Sequence, residues 1–149
     1  MSKQFEIFRA GTHTDNNGDN AEQREKRYYY HSDHLGSAQF VTDWRGRQYE
    51  HIEYTPYGEL WIEEVAAGLD KLPFRFTGKE MDEETGLYYY GARYMNPVTS
   101  IWYGVDPLAN GKPRVSGYVM CLNNPLKYID PNGLWEWNGK GNLVAQKGD

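Results

Sequence analysis

Aromatic runs, broken at intervals by Asp–Gly turns, constrain this chain more than any other feature. Tyr28-Tyr-Tyr30 leads to a break at Gly36, and Ala38-Gln-Phe-Val-Thr42 reaches the turn Asp43-Trp-Arg-Gly46. The stretch from Arg47 to Tyr54 follows, with Tyr49 and His51 opposite in face to Glu50 and Ile52, and Thr55-Pro-Tyr-Gly58 turns the chain again. β-Branched and aromatic residues between Asp/Gly turns are the signal of short strands. The unit recurs at Asp43-x-x-Gly46, Asp82-x-x-x-Gly86 and Asp130-x-x-Gly133, and the stretch from Trp135 to Val144 reads as a further hairpin. Repeated hairpins bury a face against their neighbours, so a mainly β architecture of successive antiparallel hairpins is predicted. One segment departs from the pattern. Leu60, Val65 and Leu69, set among Glu and Ala, predict a short helix over 60–69 that stops at Gly68.

Composition narrows the function classes. The chain has 149 residues, enough for one domain or one piece of a repeat array. Hydrophobic residues make up 39%, and mean hydropathy is −0.84, which is lean for a thick core. Thirteen Tyr and five Trp make up part of the difference with large rings whose polar tips need partners. A net charge of −5 and a pI near 5.4 argue against a nucleic-acid partner. The single cysteine, Cys121, permits no intrachain disulfide and reads as a small buried hydrophobe. No apolar run reaches membrane-spanning length, and residues 1–9 lack the apolar stretch of a secretory signal. Residues 1–26 form a polar N-terminal segment, 27–134 the core, and 135–149 the start of a truncated, variable C-terminal tail.

Five longer words carry a family resemblance. They are Phe74-Arg-Phe-Thr-Gly-Lys-Glu80, Asp82-Glu-Glu-Thr-Gly-Leu-Tyr-Tyr-Tyr-Gly-Ala-Arg-Tyr94, Asp106-Pro-Leu108, Asn123-Asn-Pro-Leu-Lys-Tyr-Ile-Asp-Pro-Asn-Gly-Leu134 and, upstream, Tyr29-Tyr-His-Ser-Asp-His-Leu-Gly-Ser37. With Tyr54-Thr-Pro-Tyr-Gly-Glu59, they resemble the RHS-repeat-associated core domain that ends RHS/YD-repeat proteins. The resemblance implies a β-rich shell that encapsulates or presents a C-terminal polymorphic toxin or effector in interbacterial competition. Its partners would be that effector in cis, the upstream RHS repeats and a delivery machinery, with secretion or cell-surface display.

The resemblance also implies chemistry. The family's closing Asp-Pro-x-Gly-Leu is a self-cleavage signal, with the core's own aspartates acting in the manner of an aspartic protease. On this sequence the pair is Asp106 and Asp130, and the severed bond joins Leu134 to Trp135. Two carboxyls that share one proton can divide base and acid roles between them, and the proline after each aspartate restrains its backbone. Ile101 stands where the family usually has Arg, which leaves Arg93 and Arg114 as the nearby cations. Read without the family, Asp-Pro-Asn-Gly is a turn whose carboxylate accepts backbone N–H bonds.

Other chemistry is thinly signalled. His31, Asp33 and His34 could converge on a turn as zinc ligands, but a structural role at a hairpin turn fits them better. Asp15, Asn17 and Asp19 alternate as in a calcium loop, yet Asn20 and Lys26 occupy the positions that require Gly and Glu. No metal or cofactor is therefore expected. Two other functional classes stay open. One is a self-processing peptidase as the main activity; the other is a carbohydrate-binding surface built on exposed Tyr and Trp.

Overall fold

The computed structural model describes residues 27–138. The N-terminal polar segment, its calcium-like tract and the far part of the 135–144 hairpin lie outside those residues. Within them the chain is a succession of short antiparallel strands. β1 (Tyr28–Ser32), β2 (Ala38–Asp43), β3 (Gln48–Tyr54) and β4 (Leu60–Val65) form a four-stranded sheet in chain order. β5 (Glu80–Met81), β6 (Tyr88–Tyr89), β7 (Tyr94–Asn96) and β8 (Ile101–Trp102) form a second sheet, again in chain order. β9 (Tyr128–Ile129) pairs with β10 (Trp137–Asn138). The helical content is three single 3₁₀ turns, at Phe76–Gly78, Ala109–Gly111 and Cys121–Asn123. No helix among the described residues is long and apolar enough to cross a membrane.

The helix expected over 60–69 is a strand. β4 pairs with β3 from Glu50↔Val65 to Tyr54↔Leu60, and Trp61 is the extra residue of a bulge, which leaves it 75% exposed. Local helix preference amounts to a few tenths of a kcal/mol per residue. Here it loses to the ladder that β3 offers, and to Glu63, whose carboxylate faces Lys71 and the buried Arg75. Gly68 still ends the segment, in a tight turn closed by Leu69 N–H on the Ala66 carbonyl at 3.2 Å. Of the hairpin expected over 135–144, only its first residues lie among those described, and there β10 pairs backward with Ile129 and Tyr128.

Two aromatic clusters hold the sheets. Phe76, Tyr88, Tyr90, Met95, Trp102, Met120 and Cys121 form one, while Tyr28, Val41, Tyr49 and Leu72 form the other. Full burial of such a side chain contributes about 1.5–3 kcal/mol. Tyrosine suits a thin shell because its hydroxyl can end a buried ring on a distant backbone group. Tyr88 donates to the Gly58 carbonyl, Tyr54 to Ala38 and Tyr49 to Asp70, each at 2.8 Å. Tyr90 closes on the Thr77 hydroxyl at 2.7 Å and meets Trp102 edge-on at 4.9 Å between centroids. These contacts fix the frame beneath Arg93 and the two Asp-Pro turns.

Candidate functional site

One device recurs at several turns: an aspartate oxygen accepts backbone N–H groups two to four residues ahead. Asp33 Oδ1 takes Leu35 and Ser37, and Asp43 Oδ1 takes Arg45 and Arg47, at 2.8–2.9 Å. Asp106 Oδ1 accepts from Leu108 N–H at 2.8 Å. Asp130 Oδ1 accepts from Asn132 at 3.2 Å, Gly133 at 2.8 Å and Leu134 at 3.1 Å. The turn reading of Asp-Pro-Asn-Gly is therefore correct, and it uses only one oxygen of each carboxylate.

The second oxygen separates these aspartates. Asp43 Oδ2 meets the largely exposed Arg47 at 2.8 Å. Asp106 and Asp130 are 5% and 1% exposed, and their Oδ2 atoms both face Arg93 Nη2, at 3.8 and 3.7 Å. Arg93 is itself buried. It stacks over Trp102 at 4.1 Å, and its Nε donates to the Gly133 carbonyl at 2.6 Å. Arg93 Nη2 and Asp130 Oδ2 have no closer hydrogen-bond partner.

The sequence pair is thus brought together, and its cation is Arg93. Ile101 lies on the exposed face of β8, while its neighbour Trp102 turns inward. Arg114 is exposed. A guanidinium facing both carboxylates offsets their mutual repulsion, so they can coexist without sharing one proton.

Two residues of the site escaped the sequence reading. The 3₁₀ turn Ala109–Gly111 brings Lys112 back onto Asp106, and Lys112 is 4% exposed. Its Nζ donates to Asp106 Oδ2 at 3.0 Å, to the Leu134 carbonyl at 2.9 Å and to Glu136 Oε2 at 3.2 Å. Glu136, 2% exposed, lies just past the bond between Leu134 and Trp135. The only signal available for Lys112 was its place shortly after the first Asp-Pro; for Glu136 it was an acid between two tryptophans.

The cluster drives its two aspartates in opposite directions. Burial pushes Asp106 up, but the Leu108 N–H, the Lys112 ammonium and Arg93 outweigh it and hold the carboxyl below its ordinary value. Burial dominates at Asp130 and, with the Glu136 charge, raises it despite three N–H donors. Three carboxyls face two cations here, and the Glu136 charge adds to burial in raising Asp130.

The other candidates are spent separately. His31 bonds the Thr42 hydroxyl at 3.2 Å, and His34 the Leu126 carbonyl at 2.8 Å. No group of three His, Cys, Asp or Glu among the described residues is placed to hold a metal. Cys121 is buried, and burial raises its thiol.

The pattern of the Teneurin YD-shell family matches residues 19–110. The chain belongs to this family. The tRNA nuclease WapA of Bacillus subtilis (strain 168) is 31% identical over 115 residues, which cover 75% of this chain and 5% of WapA. Toxin subunit YenC1 of Yersinia entomophaga is 36% identical over 112 residues, covering 74% of this chain and 11% of that subunit. A crystal structure of TcdB2-TccC3 without its hypervariable C-terminal region aligns with a TM-score of 0.67 at 29% identity, over 86% of this chain and 6% of the matched chain. The YD-shell segment described here thus spans about a tenth or less of these relatives. The β-hairpin architecture is that of the YD-shell neighbours.

Proposed function

We propose that residues 27–134 form the closing end of an RHS/YD shell that encloses or presents a C-terminal effector, and that the chain severs itself between Leu134 and Trp135. One observation carries the cleavage reading. Two buried carboxyls with opposed proton affinities face one guanidinium, and Asp130 is hydrogen-bonded to the N–H of Leu134.

The chemistry is hydrolysis. A water attacks the carbonyl carbon of Leu134 and gives its proton to Asp106, which is held as carboxylate. Asp130, the group that keeps its proton, delivers it to the Trp135 nitrogen as the C–N bond breaks. The products are a Leu134 carboxyl group and a Trp135 amine. Pairs of acids whose surroundings drive their proton affinities apart are the usual means of obtaining a base and an acid from the same side chain. Arg93 orients both, because its Nε holds Gly133 while its Nη2 faces the two carboxylates.

The shell role has a plainer basis. The core lies in short strands and tyrosine-tipped contacts, and the matched relatives include subunits of toxins far longer than this chain. The test is N-terminal sequencing of the smaller fragment that separates on denaturing gels. A fragment starting at Trp135 from the wild type, and none from Asp106→Asn or Asp130→Asn, is expected. A fragment that starts elsewhere, or that persists in both variants, ends the reading.

A further inference from the structure

We infer that Lys112 is a catalytic residue of this self-cleavage, the donor that stabilises the oxyanion formed on Leu134; the inference rests on the cleavage reading above. The proposed chemistry uses Asp106, Asp130 and Arg93, and leaves a buried lysine against the reacting carbonyl without a role. The geometry supplies one.

An ammonium has three N–H donors. Those of Lys112 are directed to three oxygens: Asp106 Oδ2, the Leu134 carbonyl and Glu136 Oε2. The two carboxylates hold the nitrogen from either side, and the third proton is aimed at the carbonyl from 2.9 Å. The Trp135 ring covers the ammonium at 5.0 Å, so the contact lies in a screened site. A structural lysine needs only its two carboxylates. One that also donates to the carbonyl of the bond proposed to be cut is placed where negative charge develops.

When water adds to the Leu134 carbonyl carbon, the C=O electron pair moves onto oxygen, and the Lys112 N–H bond to that oxygen strengthens. When the tetrahedral species collapses, the pair returns, the C–N bond breaks and Trp135 leaves with the proton from Asp130. Lys112 gives up no proton in either step. A preorganised donor of this kind contributes about 10²–10³ in rate where one has been removed from other enzymes. Arg93 cannot replace it, because its N–H groups are directed to Gly133, to Gly117 and toward the two aspartates.

The sequence provides a clean probe. Leu-Trp occurs only at Leu60–Trp61 and Leu134–Trp135. A full-length chain labelled with carbonyl-¹³C leucine and ¹⁵N tryptophan gives two carbonyl–amide NMR correlations, one from the reacting bond and one from an internal control in β4. In the wild type the Leu134–Trp135 signal is expected to decay as the bond is cut, while Leu60–Trp61 persists. In Lys112→Met the decay slows about 100-fold, and the Leu134 carbonyl resonance moves upfield with Leu60 unmoved. Lys112→Arg, which restores a charged donor, recovers part of both. Where Lys112→Met does not fold, shown by displacement of the Leu60 signal, Lys112→Gln serves and is expected to cut more slowly than the wild type.

Decay of the folded Lys112→Met or Lys112→Gln variant at the wild-type rate, or an unmoved Leu134 carbonyl, overturns the role of Lys112 and leaves the aspartate reading intact. A wild-type Leu134–Trp135 signal that never decays overturns both.

Discussion

Asp130 Oδ1 accepts the backbone N–H of Leu134 at 3.1 Å, so the carboxyl proposed as the acid and the residue before the proposed cut belong to one turn. Building that turn and carrying chemistry are separable demands on Asp130, because one oxygen serves each.

That division predicts different outcomes for two substitutions. Asp130→Asn retains an oxygen for the turn, whereas Asp130→Ala strands the N–H groups of Asn132 and the buried Gly133 and leaves Leu134 N–H to Asn132 Oδ1 alone. Leaving a buried donor without a partner costs about 1–3 kcal/mol. Asp130→Ala should therefore be the less stable of the two by about 2 kcal/mol or more in urea unfolding. Equal unfolding midpoints would remove the turn role.

The two aspartates should influence stability with opposite pH dependence. Asp106 is depressed in the fold, so its contribution is full above its unfolded value of about 3.9 and is lost as pH falls through the lower folded value. Asp130 is raised, so a penalty on the fold builds as pH rises above about 3.9, is full above the raised folded value, and is relieved again as pH is lowered toward about 3.9. The single asparagine variants separate the two effects. Asp106→Asn, which retains Asp130, should gain stability on mild acidification relative to the double variant; Asp130→Asn should lose it below about pH 4. Parallel pH profiles would contradict the assignment.

Arg93 is the keystone of the cluster. Arg93→Met leaves Asp106 to Lys112 alone and the buried Asp130 with no cation against it, and removing one partner of a buried pair costs about 3–5 kcal/mol. Arg93→Lys keeps the charge but cannot reproduce the fork that reaches Gly133 and Gly117 together with the aspartates. Thermal unfolding should rank wild type above Lys, and Lys above Met. A methionine variant as stable as the wild type would show that the cation is dispensable.

Gly133 is fixed twice over. Its φ is +76°, and a Cβ there would lie 3.1 Å from the Arg93 backbone nitrogen and 3.4 Å from Tyr90 Cβ. The left-handed conformation alone costs a side-chain-bearing residue about 1–2 kcal/mol, and the close backbone contact adds to it. Gly133→Ala should lower the urea midpoint and displace the Arg93 side-chain signals in NMR. An alanine that changes neither would mean that the Gly133–Arg93 contact is not rigid.

The sequence disclosed what depends on local pattern. Strands β1 to β3 and their turns were legible because alternation and Asp/Gly punctuation are short-range signals. Asp106 and Asp130 were legible through family words, and nothing in their spacing alone would have paired them. β4 was misread because Glu and Ala favour a helix locally, while the deciding partner is the edge of β3. Arg93 could not be chosen over Arg114, since the choice depends on a turn between β6 and β7 packing against residues near Gly133. Lys112 and Glu136 were invisible because neither sits in a motif, and the contacts of Lys112 with Glu136 and with the Leu134 carbonyl are tertiary.

Self-cleavage after Leu134 is read by intact mass spectrometry of the full-length chain, taken fresh and after incubation from acid to neutral pH. The parent mass is expected to give way to two species that divide between Leu134 and Trp135, while Asp130→Asn keeps a single mass throughout. A wild-type chain that holds one unchanged mass across that range would contradict self-cleavage.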